Sequence, residues 1–593
     1  MENFLFKNHN VNTNNLLKSS NCFTAASLVQ LKTHFHFCIS YITFIICQKL
    51  KLTMHENSLL NRRKFIQSSA FATAGLFLGG KASASPSPGQ KKKPGQPHII
   101  FIMTDQHRGD ALGCAGNASV KTPHIDSIAN QGILFYNGYT SVPSSTPARA
   151  GLLTGFSPWK HGMLGYGRVA RRYKYEMPRM LRDLGYYTFG TGKMHWFPQK
   201  SLHGFNGTLV DESGREEQDG FVSDYRDWFK LNAPGLHPDA TGIGWNEHRA
   251  GTYKLREDLH PTYWTGQTAV ELIENYNLDN PLFLKVSFAR PHSPYDPPGR
   301  YLDMYKDIDI PAPIQGEWSG EYAEFPETPN AAFGDFGKEH AVKSRRHYYA
   351  SITFIDDQVG RILDALRKKG MYDDAIICFT SDHGDMLGDH NHWRKTYPYE
   401  GSARIPYIMK WPEWMEADIE RGTIMTQPVE LRDFLPTFLD AAGGDIPGDM
   451  DGLSLLSLVR NPRHKWRQYI DMEHATAYRS ENYWCALTDG KYKYAWYFRT
   501  GKEELFDLID DRDELVNLAV SSRFQGELLK WRNRMVEHLR ERGEGFVKDN
   551  KLVIREETLL YGPNYPEEEE LAEGQRASRW RNINSASYVV NSR

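Results

Sequence analysis

Ser145, Pro147 and Arg149 lie two residues apart in the run Ser145-Thr146-Pro147-Ala148-Arg149-Ala150-Gly151-Leu152-Leu153-Thr154-Gly155. Proline suits the first turn of a helix, where its missing N–H is no loss and its fixed φ helps. The spacing predicts a helix after Pro147, with Ser145 just ahead of the N-terminus. Backbone N–H groups and the helix dipole favour an anion there. Arg149, in the first turn, is placed to fork onto a tetrahedral oxyanion. On these three residues alone, a capping serine before an ordinary helix is the preferred reading.

Other chemistry-bearing residues cluster at the ends of apolar runs. Ile99 to Met103 reads as a strand covered on both faces and ends in Thr104-Asp105-Gln106. Ala375 to Thr380 is a similar run and ends in Ser381-Asp382-His383. Open α/β sheets build their sites at such strand ends, and two ends bearing oxygen ligands suggest a divalent cation. Lys193 and His195, in Gly190-Thr191-Gly192-Lys193-Met194-His195, alternate by two, so an extended segment turns both to one side. A third buried run, Pro281 to Phe288, leads to Arg290-Pro291-His292-Ser293-Pro294.

The Ser145 run, with Pro147, Arg149 and the closing Leu-Thr-Gly, resembles the signature of the type I sulfatases. The Gly-Lys-x-His segment resembles that family's second signature, with Thr191 where a small or aliphatic residue is usual. The Pro-His-x-Pro turn at His292 resembles an element that supplies an active-site histidine. Lys395, before Tyr399-Glu400-Gly401-Ser402-Ala403-Arg404-Ile405-Pro406, resembles the sulfate-binding lysine segment. The motifs occur in the family's order.

The resemblance implies that Ser145 is oxidised to formylglycine by a radical-type maturase in the cytoplasm, and that the hydrate is the nucleophile. It implies a calcium site, with magnesium as the other candidate, built from Asp105, Gln106, Ser145, Asp382 and His383. His383 stands where asparagine is common. Asp382 would take a proton from the attacking hydroxyl. Arg149, Lys193 and Lys395 would balance charge on the sulfuryl oxygens. His292 would protonate the leaving alcohol, and His195 would deprotonate the second hydroxyl of the hydrate, expelling sulfate. Glu400 and Arg404 read as structural. The implied activity is sulfate monoester hydrolysis, on a sulfated carbohydrate such as a glycosaminoglycan fragment. Phosphonate or phosphate ester hydrolysis on the same fold is the alternative, or glycan binding without catalysis if Ser145 stays unoxidised. The implied fold is α/β: a large, mostly parallel sheet sandwiched by helices, alkaline phosphatase-like, with a smaller C-terminal antiparallel sheet domain.

The rest of the chain must position these groups. Its 593 residues carry 71 basic and 73 acidic side chains, a net charge of −2, which argues against a nucleic-acid partner. A sulfated substrate must therefore meet a local basic pocket. Cys114, Cys378 and Cys485, far apart in sequence, form neither a disulfide framework nor a zinc site. Residues 1–53 read as an extension preceding the true start at Met54. Residues 54–84 carry Arg62-Arg63, an apolar stretch and Ala82-Ser83-Ala84, which resembles a twin-arginine signal and implies export, to the periplasm, by the twin-arginine machinery. Residues 85–97 form a linker, 98–461 the catalytic domain, 462–545 a small α+β domain, and 546–593 a solvated C-terminal extension. Residues 196–264, rich in Gly, Asp, Trp and Tyr, read either as an insertion over the site or as a surface excursion with its own small core. Thr488-Asp489-Gly490-Lys491 between two aromatic runs signals a hairpin.

Overall fold

The computed structural model describes residues 95–566. The expected signal and the acidic run Glu567 to Glu570 lie outside the described residues. Among those residues no helix is long and apolar enough to cross a membrane.

The elements that carry the site, in chain order, are β1 (His98–Asp105), α1 (Pro123–Asn130), β2 (Ile133–Phe135), α2 (Ser145–Thr154), β3 (Tyr187–Gly192), β4 (Gly207–Val210), α3 (Pro261–Asn275), β5 (Leu282–Pro291), α4 (Lys338–Lys369), β6 (Ala375–Ser381), β7 (Tyr407–Lys410), β8 (Thr423–Met425) and α5 (Phe434–Ala441). The strands form one sheet in the order β4-β3-β5-β1-β6-β7-β2-β8. The pairs from β4 to β6 are parallel, and β7 runs antiparallel to both neighbours.

The apolar run of β1 sits at the centre of this sheet because both its faces are covered. Ile99, Phe101 and Met103 pack into one core with Phe434 and Phe438 of α5. Ile100 and Ile102 pack into another with Ile355 and Val359 of α4 and Ala269 of α3. Alternate side chains of a strand point to opposite faces, so a continuous apolar run fits a sheet sandwiched by helices.

A second sheet follows: β9 (Ile470–His474), β10 (Trp484–Thr488), β11 (Tyr492–Tyr497) and β12 (Glu503–Asp507), antiparallel throughout, with α6 (Gln525–Leu539) against it. The expected hairpin joins β10 to β11. Buried ion pairs tie this sheet to the large domain. Glu400 accepts from Lys493 and Tyr139 and pairs with Arg404 and Arg512, which gives it a structural role.

Of the two readings of 196–264, the small core is present, made by Tyr225, Phe229 and Trp264, while β4 in the same region extends the main sheet at its edge. One expectation needs correction: residues 546–566 are not a detached solvated extension. The chain returns to the large domain, where Leu164 N donates to Leu560 O and Arg168 N to Tyr561 Oη. Gly162, at φ +78°, lets this segment approach; a Cβ there would lie 2.2 Å from Tyr565 N.

Candidate active site

Four neighbouring parallel strands deliver the site from their C-terminal ends. β1 and β6 pair Thr104 with Ser381, so Asp105 and Asp382 emerge side by side. β5 brings His292, whose N–H donates to Asp105 O at 3.0 Å. Lys193 follows β3, and its N–H donates to Ser287 O. Ser145 is itself the first residue of α2, with extended Ser144 as the cap, one step from the expected boundary. Its Oγ lies 3.3 Å from Asp105 Oδ2 and 3.1 Å from His383 Nε2.

Asp105 is the electrostatic centre. Lys193 Nζ and Arg149 both contact its Oδ2, while its Oδ1 is buried with no hydrogen-bond partner. Burial pushes this carboxyl up, but Lys193, His292, His383 and Arg149 together hold it well below the usual carboxylate range. His383 donates from Nδ1 to Gly384 O at 2.9 Å, which leaves Nε2 unprotonated and facing Ser145. Ligand atoms of Asp105, Asp382 and His383 all lie within 4.8 Å of one another. An orphaned carboxylate oxygen, a second carboxylate and an oriented imidazole nitrogen fit a divalent cation. Gln106 is less suited to complete the set: its Oε1 accepts from Lys395 Nζ at 2.7 Å and its Nε2 faces Asp385.

Arg149 departs from its expected role. Its guanidinium is 1% exposed and bonds Asp382, Asp105, Ser287 and the carbonyl of Lys193. It stands behind the carboxylates as their buried countercharge, a positioning residue, and is absent from the cavity lining.

A cavity of about 250 Å³ opens over Ser145, lined by Lys193, His195, His292 and Lys395 on the polar side. His292 donates from Nδ1 to Ser293 O, so its Nε2 accepts from Lys395 Nζ at 2.8 Å. Burial, then the Lys395 charge, holds His292 well below the usual imidazole range. Burial likewise brings Lys395 down to about 7 and Lys193 to about 8. Lys395 Nζ and His292 Nε2 thus form a hydrogen-bonded pair at the cavity wall. His195, in a left-handed backbone at φ +59°, is held by Glu212, which accepts from the N–H groups of Met194 and His195. Its Nδ1 accepts from Arg215 and its Nε2 faces Tyr166 Oη at 3.4 Å.

The remaining walls were not legible in the motifs. Tyr166, Arg215, Trp245, Arg394, Tyr478, Thr476, Thr558 and Leu560 come from loops, from the second sheet's domain and from the C-terminal segment. The aromatic content of 196–264 pointed toward Trp245; nothing in sequence marked Arg394 or Thr558.

The Sulfatase family profile matches residues 97–444, and that of the N-sulphoglucosamine sulphohydrolase C-terminal region matches 388–542. An arylsulfatase of Clostridium perfringens is 38% identical over 77% of this chain and 97% of its own length. A choline-sulfatase of Rhizobium meliloti is 32% identical over 72% and 83%. An N-acetylglucosamine-6-O-sulfatase of Bacteroides thetaiotaomicron is 25% identical over 82% and 93%. A phosphonate monoester hydrolase of Agrobacterium radiobacter shares the fold at a TM-score of 0.62 and 23% identity, over 78% of this chain and 100% of its own.

Proposed function

From the premise that this chain belongs to the sulfatase family and hydrolyses sulfuric esters, we propose that its substrate is a sulfated carbohydrate and that Ser145 acts after oxidation to formylglycine. The observation that carries this reading is the seat of Ser145. It lies at a helix N-terminus on the cavity floor, within hydrogen-bond distance of Asp105 and His383 and beside Lys193, His292 and Lys395.

Sulfate offers little to grip but charge, so positioning and electrostatics carry the chemistry. Lys193 and Lys395 bind the sulfuryl oxygens. His292, fed by Lys395, hands a proton to the leaving oxygen. Asp382 and His195 take protons from the nucleophile's hydroxyls. Oxidised Ser145 supplies a hydrated aldehyde, whose second hydroxyl lets sulfate be expelled where plain serine has none. Asp105, Asp382 and His383 would hold the divalent cation, calcium or magnesium, which supplies polarisation of the sulfuryl group. Metal analysis of the purified protein tests this assignment; Asp105→Asn should lose the bound ion.

Tyr166, Trp245, Tyr478 and Leu560, with the hydroxyls of Thr476 and Thr558, make a cavity suited to one ring with polar edges. Arg215 and Arg394 on its walls oppose a cationic ester such as choline sulfate. The test is desulfation of defined sulfated saccharides by wild type and Ser145→Ala. Turnover of saccharides by wild type and none by the variant is expected; activity confined to aryl or choline esters would overturn the substrate class. Peptide mass across Ser145 to Arg149 from the native host should report an aldehyde in place of the alcohol. The phosphonate reading rests on the shared fold, and comparing sulfate and phosphonate esters of one phenol separates the two.

The twin-arginine-like segment supports export after maturation in the cytoplasm. Replacing Arg62 and Arg63 with Lys should retain the protein inside the cell, and the exported form should begin near Ser85.

A further inference from the structure

The cavity holds more positive charge than one sulfate ester can balance. Near Ser145, Lys193 is paired with Asp105, and Lys395 donates to His292. These groups serve the sulfuryl end of the substrate. The walls of the same cavity add two guanidinium groups. Arg215 lies over the ring of Trp245, bonds His195, and has Glu217 at 3.7 Å. Arg394 is different. It lies over the ring of Tyr478, donates to Asn330 O, and has a buried Nε with no partner. No carboxylate pairs with it among the described residues. Arg394 is half-buried, and a neutral alcohol bound here would cover its guanidinium without offering that charge a partner.

We propose that Arg394, seated on Tyr478, is a subsite for a second acidic group, a carboxylate or a further sulfate, carried by the same substrate molecule. The proposal rests on the sulfated-carbohydrate reading for its natural ligand but not for its chemistry. A planar, permanently charged guanidinium over an aromatic face offers paired N–H donors to a two-oxygen anion. The aromatic partner fixes its plane without neutralising it. The acidic group must sit on the leaving alcohol, because the sulfuryl end is already enclosed by Lys193, His292 and Lys395.

The experiment compares matched substrate pairs on wild type and Arg394→Gln. One pair is phenyl sulfate carrying either a carboxylate or a carboxamide on the ring. The other is a sulfated monosaccharide with and without a second acidic group. Charge-assisted hydrogen bonds of this kind support a preference of about ten- to a hundredfold. Wild type should prefer the acidic member of a pair by that factor in kcat/KM, mainly through KM. Arg394→Gln should bring the ratio near one, chiefly by raising KM for the acidic member. Arg394→Lys should fall between. Equal or better use of the neutral members by wild type, or a preference that survives in Arg394→Gln, overturns the proposal. If the aryl pair shows the effect and no saccharide is turned over, the subsite stands and the carbohydrate reading falls. If Arg394→Gln loses activity on both members alike, Arg394 serves the fold instead and the proposal fails.

Discussion

Both terminal nitrogens of Arg215 face Nδ1 of His195, at 3.2 Å each. A guanidinium only donates, so Nδ1 accepts and the imidazole carries its proton on Nε2. Burial, followed by the charges of Arg215 and Lys193, holds His195 well below the usual imidazole range. The lone pair that Arg215 holds is the one a base uses, so His195 must release Arg215 before it takes a proton, and its low pKa keeps it neutral into acid. Arg215→Gln removes one of the groups that depress it. The acidic limb of the kcat profile should then move up by about one pH unit, the scale of one nearby charge. An unmoved limb would show that Arg215 only holds the ring in place.

His292 should matter most when the leaving group is poor. General acids contribute about 10²–10⁴-fold. His292→Ala should approach that loss on sugar sulfates and fall well short of it on an activated aryl sulfate, whose phenolate leaves unaided. His195→Ala, acting after the alcohol has left, should instead slow both substrates to one common rate. Steady-state kcat on the two esters checks both; equal losses in His292→Ala would remove it as the acid.

The parts of this molecule that were legible in sequence are local ones. Continuous apolar runs gave β1, β5 and β6, and acidic or histidine residues at their ends marked where Asp105, His292 and Asp382 would meet. The Ser145 run showed its helix because Pro147 sets the first turn. Arg149 was read as facing substrate because helix position alone cannot show that two carboxylates would surround it. β4 escaped notice because Gly207 to Val210 is short and lies at a sheet edge. Glu212, Arg394 and Thr558 reach the site through tertiary folding, and no spacing records that.

Glu400 joins the second sheet to the large domain. Burial raises its carboxyl, but Lys493, Arg512 and Arg404 bring it down to about 2 from 4.5. A depressed carboxyl contributes its full stability above the unfolded value and loses it as pH falls from about 4.5 toward 2. Glu400→Gln should cost about 3 kcal/mol at neutral pH, the lower end for breaking a buried pair, because Glu514 still meets Lys493. Urea midpoints at pH 7 and in acid check this. The gap between variant and wild type should narrow in acid.

Gly162→Ala tests the C-terminal segment. Its positive φ and the 2.2 Å approach to Tyr565 N leave no room for a Cβ. The strain, about 1–3 kcal/mol for the backbone alone, should loosen residues 553–566 and the wall formed by Thr558 and Leu560. Limited proteolysis should cut there first, and KM for a saccharide should rise several-fold with kcat on a small aryl sulfate little changed. Unchanged proteolysis and KM would mean that the segment accommodates the methyl.

Ser145 is 2% exposed, and the cavity above it is closed in part by residues near the far end of the chain. Under the proposed oxidation of Ser145, the folded protein would offer an oxidising enzyme little access, since Ser145 opens a buried helix. Modification and folding would then compete for the same residue in time. Synthesis would give the advantage to modification, because Ser145 leaves the ribosome more than four hundred residues before Thr558 and Leu560 do. The length of chain between Ser145 and the wall that finally encloses it would set the time open for that modification.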